Sequence, residues 1–206
     1  MIIGLTGAYC AGKNLIGSML EARGLPVLDV DKLGYQVLET EKETIFEQFG
    51  SDLQKSDGSL DRRLLGQRVF GNPENLAALE AIVHPAVNRL TEEWISSQNK
   101  SCVINAALLH RSSVFNKLDR IILVTAPFFI RLLRAKKRDK LSWAEIFKRF
   151  ASQKGFNIKY LSKNAEIYRV ENPGNSSGTS RGTSSGLSGV QNRKLEKRIN
   201  SILEGI

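Results

Sequence analysis

The chain has 206 residues, 25% of them charged, with a net charge of +9 and an isoelectric point near 9.7, which leaves room for one substantial core and for nucleic-acid or phosphate-bearing partners alike. Two distant cysteines, Cys10 and Cys102, and only two histidines argue against a disulfide framework or a zinc finger. No secretory leader pattern is present and no apolar run nears the ~20 residues of a membrane span, so a soluble cytoplasmic protein without a membrane partner is expected.

Met1-Ile2-Ile3-Gly4-Leu5 reads as a strand, and Thr6-Gly7-Ala8-Tyr9-Cys10-Ala11-Gly12-Lys13-Asn14-Leu15 as a tight loop entering a helix, with Leu15, Ile16, Met19 and Leu20 on one face. Gly7, Gly12 and Lys13 stand at the spacing of the P-loop, G-x-x-x-x-G-K-[ST], in which backbone N–H groups cradle phosphates and the lysine reaches the β/γ-phosphates. Asn14 takes the Ser/Thr position. The simpler alternative is a glycine-bearing turn with a solvated lysine. Cys10 is read as a small residue that fits the loop, the alternative being an oxidisable thiol of low pKa.

Val27-Leu28-Asp29-Val30-Asp31 is a short strand ending in carboxylates, and strands alternating with helices predict a parallel α/β sheet whose ligands gather at the carboxyl ends of the strands. If the first two strands are neighbours, Asp29 and Asp31 lie near the phosphate loop, as proton acceptor or water-mediated Mg²⁺ ligand. Otherwise Asp31 caps a helix starting near Lys32. From Leu33 to about Gln98 the pattern is helical, with a turn at residues 55–59, a helix start at Asn72-Pro73 and a bend at His84-Pro85. His84 carries a donor suited to phosphate, although a lone histidine is more often structural. These consecutive helices read as an insertion.

Residues 101–105, followed by Ala106-Ala107-Leu108-Leu109, and residues 120–124 are buried-strand candidates. A basic helix from Phe128 carries Arg131, Arg134, Lys136, Lys137 and Arg138, and Ser142 caps a second with Lys148, Arg149 and Gln153. Arginines on such an excursion suit a lid closing on a nucleoside triphosphate. A nucleic-acid surface ranks behind, because no RNP-type aromatic run or C₂H₂ spacing accompanies the charge. Ala165 to Asn172 is a last strand of mixed polarity. Residues 173–189 have linker composition, and Gln191–Leu203 is an amphipathic helix presenting Leu195, Ile199, Ile202 and Leu203.

Taken together these residues resemble the dephospho-CoA kinases. The resemblance runs through Ile3–Gly7 with Gly12-Lys13, Pro26–Asp31, Gly58–Arg62, Arg68-Val69-Phe70 before Asn72-Pro73, Leu79–Pro85 with its I-x-H-P, Leu108-Leu109, Arg134, Arg138-Asp139, Arg149 with Gln153, and Asn172 with Gly174. It implies a P-loop NTPase fold, a three-layer α/β/α arrangement on a parallel sheet. One kinase domain would span residues 1–206: a core of about 1–31, 101–127, 160–172 and 190–206, a helical substrate-side insertion of about 32–100, a lid of about 128–159 and a flexible loop of about 173–189.

The reaction implied is transfer of the ATP γ-phosphoryl group to the ribose 3′-hydroxyl of dephospho-CoA, with Mg²⁺. By the same resemblance Gly7, Ala8, Tyr9, Cys10, Ala11, Gly12, Lys13, Asn14, Leu15 and Asn172 hold ATP. Asp31 orients the hydroxyl and accepts its proton, Lys13, Arg138 and Arg149 offset phosphate charge, His84 and Leu108 belong to the acceptor side, and Asn14 meets the metal directly. The chain departs from the family pattern at Asn14, at Ala8-Tyr9 (usually Gly and a smaller apolar residue), and at Asn105–Arg111, where D-x-P-L-L-F-E is usual and an acceptor-side acid has become Arg111. Other readings are a nucleoside or nucleotide kinase of the same superfamily and a basic nucleic-acid-binding protein with a degenerate P-loop. A GTPase fits poorly: Asp31-Lys32-Leu33-Gly34 follows Lys13 too closely for a switch segment, and Asn116-Lys117-Leu118-Asp119 precedes a strand.

Overall fold

The computed structural model describes residues 1–152, 165–173 and 185–204. Gln153, Gly174, the end of the expected lid, the core segment 160–164 and most of the linker-like stretch lie outside the described residues. The chain forms two compact units, Asp29–Ser97 and the remainder, Met1–Leu28 with Gln98–Ile206.

In the larger unit, β1 (Ile2–Gly7), β3 (Cys102–Asn105) and β4 (Arg120–Thr125) are almost wholly buried, as the apolar runs require of strands covered on both faces. The sheet order is β2-β3-β1-β4-β5, with β2 at Val27–Asp29 and β5 at Glu166–Glu171. The β1–β3, β1–β4 and β4–β5 pairings are parallel. β5 is an edge strand with one buried residue, Val170, which accounts for its polar composition. The first two strands are not neighbours, because β3 lies between β1 and β2. The chain returns after β3 to the other side of β1, so the carboxyl end of β1 is a topological switch point, where open α/β sheets bind ligands.

Helix α1 (Lys13–Glu21) covers the sheet with Ile16 and Leu20, whereas Leu15 points outward and is exposed. Helix α8 (Ser185–Leu203) adds Leu195, Ile199 and Ile202 to the same core. It begins six residues before the periodicity suggested, within the Ser/Gly-rich stretch. Between them come α6 (Phe128–Asp139) and α7 (Trp143–Ser152). A capping box opens α7: Glu145 N–H donates to Ser142 Oγ at 3.3 Å, and Ser142 N–H donates to Glu145 Oε2 at 2.9 Å.

The smaller unit packs α2 (Val30–Thr40), α3 (Lys42–Phe49), α4 (Arg62–Val69) and α5 (Pro73–Ser96) around Ile45, Phe46, Phe49, Leu53, Leu60, Leu65 and Val69. The second strand ends two residues earlier than expected, because Asp29, not Asp31, caps α2, its Oδ1 accepting from Lys32 N–H at 3.2 Å. Asn72 and Pro73 start α5 as predicted, Asn72 Oδ1 accepting from the N–H groups of Glu74 and Asn75. No break separates two helices at His84-Pro85: α5 runs through Pro85. Proline removes one hydrogen bond there, and the 24-residue helix keeps the rest while α2, α3 and α4 pack against it.

Ile199→Ala is expected to lower stability to urea by about 2–4 kcal/mol, against less than about 0.5 kcal/mol for the exposed Glu196→Ala. Equal effects would show that α8 does not close the core.

Candidate active site

The loop between β1 and α1 begins where Gly7 passes β4. A Cβ there would come within 2.9 Å of both the side chain and the carbonyl oxygen of Val124, so glycine lets the backbones approach. Ala8 N–H then donates to Val124 O at 3.2 Å, and Ala11 N–H donates to Ala8 O at 2.9 Å, closing a turn. Cys10 (φ +59°) and Gly12 (φ +95°) are both left-handed. Alternation of this kind turns successive N–H groups toward one concave side and makes an anion nest. Gly12 is the N-cap of α1, and among the described residues no side chain caps that helix. The positive end of its dipole lies at this loop, a position that favours an anion.

Two side chains far along the chain hold this loop by its carbonyls. Asn172, 5% exposed, donates from Nδ2 to Ala11 O at 2.9 Å. Arg134 of α6 donates from Nη1 to Cys10 O (3.3 Å) and Ala11 O (3.1 Å), and from Nη2 to Asn172 Oδ1 (3.3 Å). Because a trans peptide sets C=O and N–H on opposite sides, fixing the Ala11 carbonyl fixes the direction of the Gly12 N–H. A side chain at Gly12 would collide with the Asn172 amide.

Arg134, Lys137 and Arg138, spaced i, i+3, i+4 on α6, line with Cys10 and Gly12 a cavity of about 510 Å³. Burial lowers the pKa of the Arg134 and Arg131 guanidiniums without discharging them near neutrality. Burial also pushes the Cys10 thiol up, against a smaller opposite effect of Arg138, so the thiol is neutral and not the low-pKa alternative. Tyr9 leaves the loop toward α6 and α7. Its hydroxyl donates to Asp139 Oδ2, and its ring meets the edge of Phe150 at 5.3 Å. Asp139 also accepts from Arg138 Nε (2.6 Å) and Arg149 Nη1 (3.4 Å), and both guanidiniums lie over the Tyr9 ring. The hydrogen bond from Arg138 is the main cause holding the Asp139 carboxyl below its usual range. The larger-than-usual residue at position 9 therefore docks on α6 and α7.

A strand, a loop with two left-handed residues, a helix start without a side-chain cap and three cations of α6 form an arrangement able to hold an anion, and comparison with known proteins gives the family. The sequence profile of the dephospho-CoA kinases matches residues 1–172. The chain belongs to the dephospho-CoA kinase family. A dephospho-CoA kinase of Treponema pallidum is 33% identical over 184 residues, covering 84% of this chain and 87% of that protein. One from Bacillus cereus is 35% identical over 186 residues, covering 87% and 92%. A crystal structure of a Thermus thermophilus protein superposes with a TM-score of 0.78 at 31% identity, covering 100% of this chain and 97% of that one. Members of this family are ATP-dependent kinases on a P-loop α/β fold.

The structure gathers Gly7–Gly12, Asn172, Arg138 and, through Asp139, Arg149. Lys13 opens α1. Asn14, next on the helix, receives a hydrogen bond on Oδ1 from Asn105 Nδ2 at 3.4 Å. Leu108 is exposed, ahead of a 3₁₀ turn, Leu109–Arg111, that ends in the exposed Arg111. Asp31, in the first turn of α2, and His84, on α5, are exposed residues of the smaller unit. The GTPase-like Asn116–Asp119 does precede β4. Sequence reasoning names Arg134 and Asp139 as matches, Lys137 among the basic residues and Asn105 at the head of a departing stretch, with no individual role for Lys137 or Asn105. The i, i+3, i+4 spacing of Arg134, Lys137 and Arg138 was the available signal for the cation face.

Arg134→Lys keeps the charge but cannot span these acceptors. It is expected to weaken ADP binding by roughly 10–100-fold in calorimetry with an unchanged circular dichroism spectrum. The Asp139 contacts, whose carboxylate has a depressed folded pKa, contribute fully above the unfolded value of about 3.9 and are lost as pH falls through the folded value. Amide exchange protection in α7, corrected for intrinsic rates, should thus be level from about pH 8 to 5 and fall only in stronger acid. A drop between about pH 7 and 6 would contradict this.

Proposed function

We propose that the chain transfers the γ-phosphoryl group of ATP to the ribose 3′-hydroxyl of dephospho-CoA, giving coenzyme A and ADP. The observation that carries the ATP side is the loop itself: two left-handed residues at an uncapped helix start, beside a cavity lined by Arg134, Lys137 and Arg138. On this reading the loop N–H groups and Lys13 hold the β/γ-phosphates, while Arg138 and Arg149 exchange Asp139 for phosphate oxygens. Asp31 orients the 3′-hydroxyl and takes its proton as the new P–O bond forms and the bond to the ADP oxygen breaks. His84 and Leu108 face the acceptor. The transition state is loose and its charge is spread over phosphoryl oxygens, so positioning and electrostatics carry most of the rate.

Mg²⁺ bound to the ATP phosphates would offset their charge. The chain's own donors at the head of α1 do not fit a tightly protein-held Mg²⁺, which usually takes one or two carboxylates besides phosphates and waters. Asn14 is a neutral amide whose oxygen accepts from Asn105, and no group of three or more His, Cys, Asp or Glu among the described residues could hold a metal. The roles above are therefore assigned to side chains and backbone alone.

Incubating the protein with ATP, Mg²⁺ and dephospho-CoA should yield coenzyme A by mass spectrometry, and Asp31→Asn should slow it by about 10²–10⁴-fold. Phosphorylation of a nucleoside or nucleotide lacking the pantetheine arm in preference to dephospho-CoA would move the assignment to another kinase of this fold.

A further inference from the structure

Asn105 is the last residue of β3, the strand beside β1, and is only 3% exposed. Its place is fixed by the sheet: it is in register with Leu5, and the next residue, Ala106, donates its N–H to Leu5 O at 3.0 Å. The side chain reaches α1, where Nδ2 donates to Asn14 Oδ1 at 3.4 Å. Its other polar atom, Oδ1, is buried without a hydrogen-bond partner. A buried amide oxygen left unmatched is unfavourable, so this atom calls for a donor that arrives with a ligand.

P-loop NTPases hold the nucleotide's Mg²⁺ by the hydroxyl that follows the loop lysine and by an aspartate of the Walker-B segment. Asn14 has the first sequence position, directly after Lys13, and Asn105, at the carboxyl end of a strand beside β1, is the side chain in contact with it. Both are uncharged. A carboxylate there would act on nucleotide in two ways: it would attract the metal, and it would repel the phosphates whenever the metal is absent. A pair of amides does neither strongly. The unmatched Asn105 oxygen is a neutral acceptor and offers a divalent cation no charge.

We infer that Asn14 and Asn105 replace the usual hydroxyl–carboxylate metal clamp with a neutral amide pair, so that this enzyme binds adenine nucleotide almost independently of divalent cation. The inference rests on the nucleotide site proposed above.

Calorimetry of ADP binding to the wild-type protein, with excess Mg²⁺ and then with EDTA, tests it without turnover. The expected change in affinity is less than about tenfold, whereas Asn105→Asp, alone and with Asn14→Thr, should raise the dependence above about tenfold, the scale of a second-shell metal contact. Thermal unfolding of each variant with and without Mg²⁺–ADP checks that it is folded. The wild-type comparison decides the matter even if Asn105→Asp does not fold. A wild-type loss above about tenfold in EDTA, or a folded Asn105→Asp protein that ignores Mg²⁺, overturns the inference and leaves the nucleotide site standing. No ADP binding in either buffer overturns the site and the inference with it.

Discussion

The carbonyl oxygen of Ala11 accepts from Asn172 Nδ2 and from Arg134 Nη1, and the phosphate loop depends on that double contact. A left-handed residue other than glycine, such as Cys10, costs roughly 1–2 kcal/mol and persists only where its surroundings over-determine it. Here the surroundings are the sheet. Asn172 N–H donates to Thr125 O at 2.7 Å, continuing the β4–β5 ladder one residue past the strand, so the clamp is referenced to the same hydrogen bonds that place β1 beside β4. The loop is shaped before any nucleotide arrives, and ordering cost is not subtracted from binding.

The contacts of α6 and α7 with Asp139 are of a different kind. Arg138 and Arg149 meet Asp139 with side chains 60% and 53% exposed, and ion pairs whose cation is open to water contribute about 1 kcal/mol or less. A phosphate group can therefore capture either arginine at small cost, whereas the Arg134 contacts, partly buried and made to backbone, are not easily exchanged. The same helix thus carries one arginine that builds the site and another that is available to act in it. Tyr9 connects the two, since it belongs to the loop and rests on Asp139 and Phe150.

The β1–loop–α1 unit was legible because its pattern is local: an apolar run, glycines at a fixed spacing and lysine at the helix start. The clamp was not, because Asn172 is separated from Ala11 by 161 positions and Arg134 by 123, and no periodicity encodes such a pairing. Asp29 and Asp31 stood two residues apart at a strand–helix junction, and only the backbone decides which one caps. Sheet order escaped for another reason. The excursion between β2 and β3 is long enough to return the chain to either side of β2, so sequence adjacency says little about spatial adjacency. Pro85 read as a break because proline disfavours helix interiors, but the cost of one lost hydrogen bond is met by a long packed face.

The basic composition left nucleic acid and nucleotide as alternatives, and the partners of α6 distinguish them. Of its five cations, Arg131 lies over the Phe150 ring at 4.9 Å, Arg134 holds the loop carbonyls, and Lys136 donates to Leu141 O at 2.7 Å beneath Trp143. Arg138 pairs with Asp139 and lines the cavity with Lys137. A track for a polyanion needs charges spread along a surface and free to release counterions. Here two of the five are engaged by Phe150, Leu141 and Trp143, and the other three, Arg134, Lys137 and Arg138, gather beside one helix N-terminus, an arrangement that favours a compact, multiply charged phosphate group over an extended backbone.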